Sequence, residues 1–173
     1  MKDQFITIDP QKINDNVYSL IGDDWMLITA GNIKSHNTMT ASWGFMGILW
    51  NKPIAVCFIR PQRYTLGFVE SSDYFTLSFF SEEYRHILNY CGSRSGRDHD
   101  KVKETGLTPV STKLGNVTFL QARLVFECRK LYADTIKENN FIVKELISRN
   151  YPGKDFHRFF FGEVKGVYRR KGD

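Results

Sequence analysis

Apolar residues along this chain come in short runs of strand length, separated by glycine, asparagine and small polar clusters. Trp25 to Ala30 reads as a buried strand stopped by Gly31-Asn32. Asn37 to Trp43 alternates small polar residues with Met39 and Ala41, the pattern of an extended segment, and Gly44 and Gly47 break it. Ile54 to Ile59, introduced by Pro53, is a continuous apolar run, as expected of a strand covered on both faces. Tyr74 to Phe79 is a further strand. Val117 to Asp134 contains a long one, in which Ala122, Leu124, Phe126 and Cys128 alternate with Arg123, Glu127 and Arg129. The Phe-rich stretch from Phe156 to Val167 closes the chain as a last strand.

Helical spacing is confined to three places. Arg63 to Ser72 sets Tyr64 and Phe68 at i, i+4. Ser81 is placed to cap a helix with Glu82 and Glu83 in its first turn and Tyr84, Ile87, Leu88 and Cys91 along one face. Asn139 or Asn140 is placed to cap a third helix carrying Ile142, Val143, Leu146 and Ile147. Strands dominate, no strand–helix rhythm repeats, and Gly-x-Gly-x-x-Gly is missing, which argues against a doubly wound dinucleotide-binding sheet. The pattern predicts a mainly β fold, an antiparallel barrel with short peripheral helices. With 173 residues, no internal repeat and no Pro/Gly-rich linker, residues 1–173 read as one domain.

Composition leaves this picture intact. The chain is 42% hydrophobic and 25% charged, near the globular norm, so global disorder is excluded. Its 14 Phe, 8 Tyr and 3 Trp suit strands and also supply flat faces for a planar ligand. A net charge of +5 fits an anionic partner, whether nucleic acid, a membrane surface or a phosphorylated small molecule. The basic residues are scattered, apart from Arg169-Arg170-Lys171, which argues against nucleic acid. Cys57, Cys91 and Cys128 form no Cys-x-x-Cys pair, and an odd count behind a polar N-terminus predicts free thiols in the cytoplasm. Cys57, inside an apolar run, reads as core filler. No apolar run is long enough to cross a membrane. His36, His86, His99 and His157 lack metal-ligand spacing, and Gly-x-Ser-x-Gly is missing, so neither a metal nor a nucleophilic dyad is expected.

Three polar clusters carry candidate chemistry. Ser35 to Trp43 offers hydroxyls and amides on an extended backbone whose small side chains let a ligand approach closely. Arg60-Pro-Gln-Arg-Tyr-Thr65 follows the buried strand and opens a helix, which suits a phosphate: guanidinium, hydroxyl and free N–H donors converge there. Ser93 to Lys101 adds hydroxyls and cations around Gly92 and Gly96, whose freedom permits tight turns. The Gly-Lys-Ser/Thr ending of nucleotide-hydrolase loops is missing there.

Together these segments resemble the flavin reductase-like family, built on the FMN-binding split barrel, and within it the flavoredoxin-type branch. The strings that carry the likeness are Asn37-Thr-Met-Thr-Ala-Ser-Trp43, Leu49-Trp-Asn-Lys-Pro53, Arg60-Pro-Gln-Arg-Tyr-Thr65, Phe75-Thr-Leu-Ser-Phe-Phe80 and Ser95-Gly-Arg-Asp-His-Asp-Lys101. They occur in the family's order, and the likeness runs from about Trp25 to Val167. The resemblance implies a mainly β, Greek-key-like antiparallel split barrel and a homodimer with FMN at or near the subunit interface. It sets Asn37, Thr38, Met39, Thr40, Ala41 and Ser42 beside the isoalloxazine and ribityl chain, with Trp43 packed nearby. Arg60, Arg63, Tyr64 and Thr65 match the stretch that holds the phosphate. Ser95, Gly96 and Lys101 match the second polar loop, and Phe159 begins the late strand that covers the flavin. Lys101 is the candidate to stabilise reduced flavin at its pyrimidine edge. Hydride transfer to flavin needs stacking and orientation more than an acid or base, so no catalytic side chain is expected. The implied activity is NAD(P)H-dependent flavin reduction, and the alternative is an electron carrier between redox proteins.

Overall fold

The computed structural model describes residues 1 and 4–172. Its strands are β1 (Phe5–Ile8), β2 (Met26–Asn32), β3 (Ser35–Ala41), β4 (Gly44–Leu49) and β5 (Lys52–Ile59), then β6 (Tyr74–Phe79), β7 (Pro109–Ser111), β8 (Val117–Phe119), β9 (Leu124–Thr135) and β10 (Arg158–Arg170). Eight of them form one antiparallel sheet in the order β3-β2-β6-β9-β10-β5-β4, with β1 also on β10, while β7 and β8 pair separately. The helices are short: α1 (Val17–Ser19), α2 (Thr65–Ser71), α3 (Arg85–Ser93), α4 (Lys101–Thr105) and α5 (Glu145–Asn150). Among the described residues, no helix is long and apolar enough to cross a membrane.

Alternation along the central strands divides the buried side chains between two cores. Met26, Ile28 and Ala30 of β2 face the barrel interior with Leu77, Phe126 and Phe160. Leu27 faces the other way, into a layer with Leu88, Phe119, Val125 and Tyr168 under α3. Because both faces are covered, β2 and β5 read as unbroken apolar runs. Each fully buried Leu or Phe contributes roughly 1.5–3 kcal/mol by leaving water. The three cysteines are buried, and burial pushes the Cys57 thiol up to about 12 and the Cys91 thiol up to about 11, so both stay protonated.

Close packing fixes Gly162 on β10. A Cβ there would lie 2.6 Å from Phe75 Cζ and 2.7 Å from Cys128 Cβ. Gly162→Ala should therefore cost about 1–3 kcal/mol, read as a lower urea midpoint with an unchanged slope.

Several elements differ from the sequence expectation. The extended run ends at Ala41, before either glycine, and Gly44 and Gly47 lie inside the next strand, β4, where Gly44 pairs with Cys57 of β5. Glycine serves there because a Cβ at Gly44 would meet the Val56 carbonyl at 2.7 Å. The chain reverses after β4 at Trp50 and Asn51, both with positive φ, 52° and 56°, as a two-residue hairpin turn of the primed type demands. The long strand expected within Val117 to Asp134 is β9, which starts only at Leu124, so Ala122 and Arg123 fall in the turn that separates it from the short β8. The helix expected from Asn139 or Asn140 reduces to a 3₁₀ turn at Glu138–Asn140 and the later α5, and Ile142 is 96% exposed. From Ser81 a 3₁₀ turn, Glu82–Tyr84, precedes α3, which runs on to Ser93 inside the expected loop. Asp100 caps α4 by accepting from the Lys103 amide.

Candidate functional site

The barrel is split beside β3. This strand is an edge of the sheet, and β4 pairs with β5 only as far as Cys57, leaving Phe58 and Ile59 unpaired on that side. Two connected cavities fill the gap and share Met39, Arg60 and Arg63 in their walls. The smaller, about 240 Å³, runs along Met39 to Trp43 and is closed by Phe58 and His157. The larger, about 430 Å³, is bounded by β3, the start of α2 and the loop from Ser93 to Arg97. Together they span the size range of small-ligand sites.

Strand alternation decides which polar groups of β3 reach the larger cavity. Asn37 and Met39 face it. Asn37 Nδ2 donates to Thr65 Oγ1 at 2.8 Å, joining β3 to the first residue of α2. Thr38 points the opposite way, donating to the Ile28 carbonyl at 3.2 Å beside Thr29. The Thr40 hydroxyl is committed to the Leu88 carbonyl of α3, at 2.5 Å. Gly96 lies so close to Asn37 that a Cβ would fall 2.1 Å from Asn37 Oδ1. Only glycine lets the Ser95 to Arg97 backbone close against β3.

The cations differ in how far the protein already satisfies them. Arg60 is ion-paired to Asp155 and also donates to the Asn150 carbonyl at 2.9 Å, with its plane over Tyr151. Asp155 thus compensates a charge expected to serve a ligand. Arg63 donates to the Gly92 carbonyl at 2.6 Å and has no acid partner among the described residues, and burial, then repulsion from Arg60, pushes its pKa down. Arg97 lies 5.0 Å over the Tyr64 ring and donates to the Gln62 carbonyl. Lys101 is buried, with Nζ donating to the carbonyls of Thr38 and Cys91, each at 2.9 Å. Burial is the main cause of its lowered pKa, with Arg63 adding repulsion against a partial offset from Cys91. Ser95 accepts from the Arg97 amide, which leaves its hydroxyl hydrogen free to donate.

The aromatic end holds residues that the sequence did not announce. His157 packs its ring 5.0 Å from Trp43, and its Nδ1 is 2.9 Å from the Tyr151 hydroxyl. Burial, then the charge of Arg60, pushes its pKa down to about 4, with Asp155 opposing. Metal-ligand spacing does not single it out. The only sequence signal is a lone His at the entry to the Phe-rich closing strand. Phe159 is outside both cavity walls and stacks instead with Phe58, Tyr132 and Phe161.

The neutral His157 has a measurable consequence. Its folded pKa lies below the value of about 6.5 for an unfolded histidine, so below pH 6.5 the unfolded chain binds a proton that the native chain refuses. Stability should fall as pH drops from about 6.5 to 4, and His157→Gln should flatten that slope in a series of urea melts. An identical slope in the variant would assign it to other groups.

A model of the flavin reductase like domain matches residues 19–173. The chain belongs to the flavin reductase-like domain family. Among solved structures, this family member is similar to the FMN-binding protein from Thermus thermophilus, at 20% identity and TM-score 0.69, covering 96% of this chain and 82% of that one. It is similar to the flavoredoxin from Methanosarcina acetivorans, at 21% identity and TM-score 0.67, covering 95% and 77%. It also resembles nitrilotriacetate monooxygenase component B from Mycobacterium thermoresistibile, at 17% identity and TM-score 0.65, covering 87% and 70%. No curated protein matches. At these identities the structural likeness carries the fold, an antiparallel split barrel.

Proposed function

We propose that this flavin reductase-like chain binds FMN in the joined cavities and takes a hydride onto it from NAD(P)H. The observation that carries this reading is the polarity of the cavity. One end is walled by cations and hydroxyls with no carboxylate, and the other by Met39, Trp43 and Phe58. A flat ring system with a phosphate tail has that same division. The donor set fits: Arg63, Tyr64, Thr65, Ser95 and the amides beside Gly96 suit the phosphate, and the close approach of Gly96 to Asn37 shapes the wall between. Asn37, Met39, Ala41, Ser42 and Trp43 border the ribityl chain and ring. Thr38 acts behind this wall, tying β3 to β2, whereas Thr40 and Lys101 line it with their polar groups already committed to the carbonyls of Leu88, Thr38 and Cys91.

Bound there, FMN supplies hydride acceptance and electron transfer. The chain supplies orientation. Burial raises the Tyr151 pKa, so the phenol stays protonated and can donate to His157 Nδ1. In that tautomer the neutral imidazole keeps its hydrogen on Nε2, an uncharged donor on a ring that lines the cavity beside Trp43.

The face next to this end supports a homodimer. The exposed rings of Phe45, Trp50 and Tyr132 surround the half-buried Phe161 in a contiguous aromatic patch, larger than scattered surface residues need. A second copy seated there covers it and walls the cavity mouth at Trp43. Anaerobic mixing with NADH or NADPH tests the reductase reading and should bleach the flavin spectrum. No bleaching with either, alongside rapid reduction by a reduced redox protein, would instead make the chain an electron carrier.

A further inference from the structure

The polar cavity carries more positive charge than one flavin phosphate can balance. Five cationic side chains line it, Arg60, Arg63, Arg94, Arg97 and Lys101, and no carboxylate does. Asp155 neutralises Arg60, which leaves the other four without an acid partner among the described residues. A phosphate monoester brings about 1.5–2 negative charges at neutral pH. The excess sits in a distinct place. Arg63 and Lys101 are inside, held by the carbonyls of Gly92, Thr38 and Cys91, whereas Arg94 and Arg97 are exposed at the rim.

The two rim arginines are also prepared differently from ordinary surface charges. Arg97 is held flat by the Tyr64 ring at 5.0 Å and by the Gln62 carbonyl, with its remaining N–H groups unpaired. Arg94 makes no side-chain hydrogen bond or ion pair among the described residues, although its backbone caps α3 by donating to the Tyr90 carbonyl. The nearest acids in sequence are outside this cavity's wall. Asp98 and Asp100 line the neighbouring cavity, which Arg97 and Lys101 also border, neither acid pairs with Arg94 or Arg97 among the described residues, and Asp100 is occupied in capping α4.

We infer that Arg94 and Arg97 form a second phosphate subsite at the cavity rim, which takes a phosphate of the incoming nicotinamide dinucleotide. This rests on the reading of the inner cavity as the flavin site. Guanidinium groups meet phosphate oxygens in pairs, with direction as well as charge, so a lysine in either place replaces only part of the function. The subsite is open to water, and its contribution weakens as salt is raised.

The test uses the FMN-loaded protein and its Arg94→Ala and Arg94→Lys variants. Each is titrated with 2′,5′-ADP, 5′-AMP and inorganic phosphate, and the KM for NADH and NADPH is measured alongside. Arg94→Ala should weaken dinucleotide or 2′,5′-ADP binding by about tenfold or more, with the FMN affinity unchanged and Arg94→Lys in between. A loss confined to NADPH and 2′,5′-ADP assigns the subsite to the ribose 2′-phosphate. An equal loss for NADH and NADPH assigns it to the pyrophosphate. Unchanged binding of all probes in Arg94→Ala overturns the subsite, as does loss of FMN together with the arginine. A wild-type protein that fails to hold FMN sinks the cofactor reading instead. That is seen in the visible spectrum before any dinucleotide is added, and the 2′,5′-ADP titration still reports on the rim.

Discussion

Glu127→Ala should unfold at a far lower urea concentration than the parent chain, a loss on the order of 3–5 kcal/mol. Glu127 is 0% exposed on β9, yet its carboxylate accepts from the Tyr168 hydroxyl at 2.6 Å, from Asn116 Nδ2 at 2.6 Å and from the Thr112 hydroxyl. Those donors belong to β10 and to the hairpin of β7 and β8, so one side chain fastens the hairpin to the sheet. Burial, and then the carboxylate itself, pushes the Tyr168 phenol well above its usual range and keeps it a donor. Alanine would leave the buried hydroxyls of Tyr168 and Thr112 facing an empty space, each orphan costing roughly 1–3 kcal/mol before relaxation, with the half-buried Asn116 amide losing its partner as well. Glu127→Gln, which keeps the shape, should lose less than alanine. A midpoint within error of the parent for Glu127→Ala would show that water replaces the carboxylate without cost.

The second large effect is on cofactor retention. Arg63→Ala should weaken FMN binding by about 1.5–3 kcal/mol, the worth of a hydrogen bond to a charged group, or roughly ten- to a hundredfold in Kd. Arg63 stands inside the cavity with no acid partner among the described residues, and both burial and Arg60 disfavour its charge in the free protein. A bound phosphate removes that penalty, which is why this arginine should matter more than Arg60, whose partner is already Asp155. Arg63→Lys keeps the charge but not the fork or the same reach to the Gly92 carbonyl, and should fall between the two. Equal FMN affinity in the parent and Arg63→Ala, titrated from apo-protein, would remove Arg63 from the phosphate site.

What the sequence shows, and what it hides, follows from locality. Strands β2 and β5 are visible because burial on both faces leaves mostly apolar runs, and β6 because Phe75, Leu77 and Phe79 alternate with Thr76 and Ser78. The three polar clusters are visible because each interrupts such a run, and parts of all three meet at one cavity. Arg60 looks like a ligand residue because its partner, Asp155, lies 95 positions away, beyond any local pattern. Glu127 looks like the wet face of an alternating strand, and only the hairpin folded over β9 makes it buried. Asn37 and Thr38 look equally eligible until the edge position of β3 decides that one faces the cavity and the other faces Thr29. Gly44 reads as a breaker because its reason lies across strands: the Val56 carbonyl stands 2.7 Å from where a Cβ would be.

The central claim is that the joined cavities hold FMN, and a titration of apo-protein with FMN, followed by visible absorbance and flavin fluorescence, tests it most directly. The expected result is saturable binding of one FMN per chain, with the fluorescence quenched by Trp43 and weakened affinity in Arg63→Ala. A parent protein that neither shifts the flavin spectrum nor quenches its fluorescence at any ratio would contradict the account.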